Sequence, residues 1–158
     1  MTKEDIKYQA YIQILKEELI PAMGCTEPIA LAYAAAKARE VLGCIPERVH
    51  IGASGSIIKN VKSVIVPNTD GLKGIPAAAA AGIVGGCAEK KLEVISAVTD
   101  EQKHRMREYL EKTPFDVKPL ADGDKLDILI TVYAGEHQAK VRISRTHCNI
   151  AMISKDGE

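Results

Sequence analysis

The sequence predicts an α+β fold: two N-terminal helices and an alanine-rich helix packed on a mixed β-sheet with an antiparallel C-terminal portion. Three observations carry that expectation. The stretch Ile29–Ala38 is apolar almost all round, with a proline before it and Gly43 after it, as a helix buried on more than one side requires. A second alanine-rich stretch, Ala77–Ala88, follows Pro76. Alternating runs then crowd the end of the chain, two of them separated by Gly135-Glu136, the pattern of antiparallel hairpins. A chain of 158 residues can bury one sizeable core, and no repeat or linker divides it, so a single domain over 1–158 is expected.

Residues 4–19 space Ile6, Ala10, Ile14 and Leu15 as an amphipathic helix, with acids early and Lys16 late; Pro21 ends it. A second helix should run from about Pro28 to Leu42, with Gly43 past its end and Pro46 confirming the stop. Arg48–Ala53 reads as a strand, Ser54–Asn60 as a turn and short amphipathic piece, and Val61–Val66 as another short strand. A loop punctuated by glycine and proline, Pro67–Pro76, leads into the Ala77–Ala88 helix, whose later turns Gly82, Gly85 and Gly86 weaken. Residues 92–98 resemble a strand. Asp100 to Lys112 is a charged surface helix closed by Pro114, with His104 exposed. Strands are expected at Asp116–Leu120, Leu126–Ala134 and Gln138–Ile143, followed by an alternating Ile150–Ile153. Asp156-Gly157 favours a hairpin turn, yet the sequence stops one residue later. On that ground 1–158 is expected to be the front part of a longer polypeptide, or a subunit completed by another chain.

Lys and Arg together number 21, as do Asp and Glu, so no charge excess points to nucleic acid or a membrane surface. No apolar run approaches a membrane span, and the N-terminus has no signal-like core. Cysteines at 25, 44, 87 and 148 form neither a disulfide framework nor a zinc site by spacing, so a reducing cytoplasm is the simplest compartment.

The chemistry-bearing residues sit at element ends. In Gly24-Cys25-Thr26-Glu27-Pro28, Pro28 pre-sets a first helical turn and places Cys25 just outside a helix N-terminus, where the thiolate is favoured. Cys25 is then a reactive thiol, a metal ligand, or a half-buried cysteine in a turn. Ser54, Lys59, Asn60, Lys73, His147 and Asn149 also lie in loops or at element ends, where rigid elements position chemistry. The loop around Lys73 lacks the spacing of a phosphate-binding P-loop, which argues against a nucleotide. Cys44 and Cys87 read as buried structural thiols. Residue types alone support a domain with a thiol site.

The combination GCTEPIALAYAAA, SGSIIKNV, VPNTDGLKGIPAAAAAG and THCNI, in this order, resembles the N-terminal part of the L-cysteine desulfidase family, relatives of the iron-sulfur L-serine dehydratases. The resemblance covers essentially the whole chain. It implies an oxygen-sensitive [4Fe-4S] lyase, independent of pyridoxal phosphate, that converts L-cysteine to pyruvate, ammonia and sulfide. It also implies a longer protein whose missing C-terminal catalytic region carries most cluster ligands, so that this piece alone is inactive and binds no cofactor.

By the same resemblance Cys25, Glu27 and His147 are catalytic, with Cys25 a base or a cluster-proximal thiolate. Ser54, Lys59, Asn60, Lys73 and Asn149 bind the amino-acid substrate, L-cysteine or L-serine. The chain departs from the family where His147-Cys148-Asn149 replaces the frequent His-Thr-Asn, which removes a hydroxyl, and its serine loop varies around Ser56. The implied partners are the small amino acid, the missing region and, as an open option, a second copy of the chain. The alternatives are an L-serine dehydratase-like activity and a non-catalytic module that binds a small molecule.

Overall fold

The computed structural model describes residues 26–120, 126–147 and 149–158. The helix expected over 4–19, Cys25 and Cys148 lie outside the described residues. Helix α1 (Thr26–Leu42) carries Glu27 in its first turn and Arg39 in its last, complementing the helix dipole. Strand β1 (Arg48–Ala53) follows, then the short helix α2 (Gly55–Val61) and helix α3 (Ile75–Gly85) with its early proline. A 3-10 segment (Ala88–Glu93) precedes helix α4 (Asp100–Lys112). Four strands complete the chain: β2 (Phe115–Pro119), β3 (Asp127–Ala134), β4 (His137–Ser144) and β5 (Ile150–Lys155).

The strands form one mixed sheet of order β2-β1-β3-β4-β5. β1 and β2 are parallel, joined by the long helical crossover such a pair needs. The other three pairings are antiparallel. This is the expected α+β class. Val49, Ile51, Ile128, Ile130, Val132, Val141 and Ile143 are fully buried at alternate positions and line one face. Burying each aliphatic side chain of this kind contributes about 2 kcal/mol. Helix α1 packs on that face and has α3 against it. It therefore needs apolar groups all round, as its sequence provides.

The contact between α1 and α3 is built from small residues. A Cβ on Gly82 would stand 2.0 Å from the Ala32 carbonyl oxygen, and one on Gly86 would stand 2.9 Å from the Ala36 Cβ. The two matched pairs, each four residues apart, show that α1 and α3 run in the same direction.

Helix α4 starts with a reciprocal capping box. Thr99 Oγ1 accepts the Gln102 N–H, while Gln102 Oε1 accepts the Thr99 N–H. Its buried Tyr109 packs edge-on against Phe115, with ring centres 5.8 Å apart, and donates a 2.7 Å hydrogen bond to the Pro46 carbonyl. Burial raises the Tyr109 phenol well above its ordinary range, only partly offset by a hydrogen bond with Thr113.

Two expected strands are not formed. Val61 closes α2, because Ile57 and Val61 are buried one helical turn apart. Of the residues after it, only Ile65 makes an isolated bridge, to Lys73. The 92–98 segment is a 3-10 segment and turns. Val94 and Ile95 are buried side by side and Ser96 and Ala97 are both exposed, so burial does not alternate as a half-buried strand requires. The Cys87 N–H donates to the Val94 carbonyl, folding the segment back on itself. Cys44 and Cys87, read from sequence as buried, are exposed because they follow the ends of α1 and α3.

Candidate functional site

Only five residues separate the end of α1 from the start of β1, and the Glu47 N–H donates to the carbonyl of Tyr133 near the end of β3. The C-terminal end of α1 thus lies beside the start of β1, and its N-terminal end lies where β1 finishes. Because α3 runs with α1, its N-terminal end lies there too. The register places the end of β1, the start of β3 and the end of β4 together, since Ala53 faces Ile128 and Asp127 faces Ser144. Glu27, Ser54, Lys59, Asn60, Lys73, His147 and Asn149 are therefore gathered at one end of the domain, from four separate stretches of chain. Cys44 and Cys87 mark the opposite end.

Each contributor is held locally. Ser54 is buried and precedes α2; its N–H donates to the Asp127 carbonyl and its carbonyl accepts the Ile58 N–H. The following turn of helix leaves Lys59 and Asn60 exposed. Lys73 sits on a loop braced from within. Thr69, 1% exposed, donates to the Val66 carbonyl at 2.7 Å and accepts the Leu72 N–H at 3.2 Å. Asn68 Nδ2 donates to the Ile95 carbonyl, and Arg107 donates to the Asp70 carbonyl.

Gly74 then enters α3 at φ 92°, a conformation that favours glycine. Its N–H donates to the Val64 carbonyl. Lys73 itself is exposed, and among the described residues Lys59, Asn60 and Lys73 make no side-chain hydrogen bond or ion pair. Their donors are available to a ligand.

His147 and Asn149 lie in the loop between β4 and β5. Asn149 Nδ2 donates to the Ser144 carbonyl at 2.9 Å, and its N–H donates to the Thr146 carbonyl. One amide hydrogen of Asn149 thus braces the loop. Glu27 is half-buried in the first turn of α1, beside the buried Pro28.

Beneath this end lies a pair that sequence reasoning missed. Asp127 is 1% exposed and receives two hydrogen bonds from the Arg142 guanidinium, one of them 2.9 Å from Nε. The bidentate geometry fixes the start of β3 to β4, and the same Asp127 offers its carbonyl to Ser54. The available signal was an acid opening an otherwise apolar strand, which requires a buried partner.

The exposed Lys59, Asn60 and Lys73 side chains carry donors of the kind that hold a carboxylate. A [4Fe-4S] cluster is held by cysteine thiolates. The described cysteines stand at the far end, and among the described residues no group of three or more His, Cys, Asp or Glu gathers. The described residues do not fit the cluster. A cleft of about 430 Å³ lies at the far end too, lined by Arg39, Glu40, Gly43, Gly86, Cys87 and Glu89. It contains none of the expected site residues.

Among the described residues, no helix is long and apolar enough to cross a membrane. No family model and no solved structure matches the chain. Curated relatives do match. A UPF0597 protein of Desulfitobacterium hafniense is 55% identical over 159 residues, covering 100% of this chain and 37% of the relative. UPF0597 proteins of Lachnoclostridium phytofermentans and Treponema denticola are 49% and 45% identical, covering 95% and 100% of this chain and 36% and 37% of their own lengths. The chain spans little more than a third of the length of these relatives, and their names state no activity.

Proposed function

We propose that this chain is the substrate-binding N-terminal portion of a lyase that resembles L-cysteine desulfidase and is independent of pyridoxal phosphate. The observation that supports this reading most is the convergence of residues 27, 54, 59, 60, 73, 147 and 149, far apart in sequence, at one end of the domain. The substrate carboxylate docks at the N-terminal ends of α1 and α3, with Lys73 and Asn60 as donors. Lys59 extends the positive field, and Ser54 lies at the floor. A base removes the α-proton and sulfide leaves from Cβ; the resulting enamine takes up water to give pyruvate and ammonia. Cys25, next to α1 in sequence, is the assigned base, and Glu27 and His147 are the other assigned catalytic groups. The [4Fe-4S] cluster and its ligands belong to polypeptide beyond this chain, and the chemistry suits a reducing cytoplasm.

The test is sulfide release from L-cysteine by the intact protein, reconstituted anaerobically with iron and sulfide. Turnover is expected to vanish in Cys25→Ser with folding intact. Lys73→Ala is expected to raise KM about tenfold with a smaller change in kcat, as loss of uniform binding does. Turnover of L-serine alone would assign the dehydratase reaction instead. No turnover of either amino acid, with binding retained, would leave a small-molecule-binding module.

A further inference from the structure

The sheet is closed on one side of β5 and open on the other. Among the described residues β5 pairs only with β4, and its Asp156 N–H donates inward to the Gln138 carbonyl. The alternation of an antiparallel ladder therefore turns the N–H and C=O groups of Ile153 and Lys155 away from β4. At Lys155 those outward groups are already engaged. Its N–H donates to the Glu158 carbonyl at 2.9 Å, and the Glu158 N–H donates to the Lys155 carbonyl at 3.0 Å. This reciprocal pair closes a two-residue hairpin loop.

The loop has the geometry such hairpins use. Asp156 (φ 51°) and Gly157 (φ 91°) both have positive φ, as a type I′ turn demands. Asp156 also locks the turn to β4. Its Oδ1 accepts the Gln138 N–H at 2.9 Å and its Oδ2 meets His137 Nδ1 at 3.0 Å. Met152 and Ile153, 38% and 45% exposed, project from opposite faces of an edge strand with no proline in it. Bare apolar edges of this kind template another strand.

We propose that the free edge of β5 is covered by a sixth strand of the same polypeptide, entered through the Asp156-Gly157 turn and antiparallel to β5. Three observations support that occupant over a second copy of the chain: the closing pair at Lys155 and Glu158, the preset turn, and relatives more than twice as long. The register follows. With Lys155 opposite Glu158, Ile153 faces the second residue beyond Glu158. Ile153 shares the helix-covered face with its β4 partner Val141, so that residue is apolar. This inference is independent of the lyase reading.

Amide hydrogen exchange of the intact gene product tests it. The Ile153 amide should be protected at least 100-fold, independently of protein concentration. Gly157→Val, which opposes the positive φ, should remove protection at Ile153 while Val141 stays protected. A reading frame ending at Glu158 would overturn the proposal. So would an unprotected Ile153, protection indifferent to Gly157→Val, or protection that appears only as concentration rises, the mark of a second copy.

Discussion

Gly82→Ala is expected to destabilise the domain by about 3 kcal/mol, although alanine is the better helix former by roughly 1 kcal/mol. The added Cβ would meet the Ala32 carbonyl oxygen at 2.0 Å and the Ala32 carbonyl carbon at 2.7 Å. These are backbone atoms inside a buried helix, so no flexible side chain can yield. Helix α3 would have to move away from α1, opening the alanine-packed seam and separating the two N-terminal ends that frame the site. Thermal unfolding should show a fall of roughly 10 °C in Tm. Gly55→Ala is the control, since a Cβ there meets nothing within 4 Å. An unchanged Tm for Gly82→Ala would mean that the seam is not close-packed.

Asp127→Asn is expected to cost about 3 kcal/mol, the low end for breaking a buried pair, because the Arg142 side chain is 41% exposed and can still reach water. The asparagine keeps the shape but loses the charge and one of two acceptors for the guanidinium. Replacing both residues by apolar ones of similar volume should restore most of the loss. A double-mutant cycle in urea separates the pair's coupling from simple burial. Additive single effects would show that the two residues do not act together.

The fold was legible where one pattern had one solution. Ile29–Ala38 is apolar on every side, and only a helix between a sheet and another helix uses all of it. Gly135-Glu136 and the alternation around it fixed the β3–β4 hairpin. Short apolar runs were ambiguous. Leu92, Val94 and Ile95 satisfy a strand by composition, but burial through a 3-10 segment with Lys91 at φ 50° meets the same need. Glycine spacing in α3 read as weakness in a helix; it is the price of close approach to α1.

The candidate site residues were legible one at a time only as polar groups at element ends. Their convergence was not, because it depends on α1 and α3 running parallel and on the β1–β3–β4 register. Thr69, Asn68 and Asp127 escaped notice because their work is bracing, and a buried brace has no sequence pattern of its own.

The most direct measurement is an amide NMR titration of the intact protein with L-cysteine under anaerobic conditions. Binding at the joined N-terminal ends predicts saturable shifts at Asn60, Gly74 and Ile75, weakened about tenfold by Lys73→Ala, with Gly43 and Gly86 at the far end unmoved. Shifts centred on Gly43, Gly86 and Cys87, or none at any attainable concentration, would contradict the account.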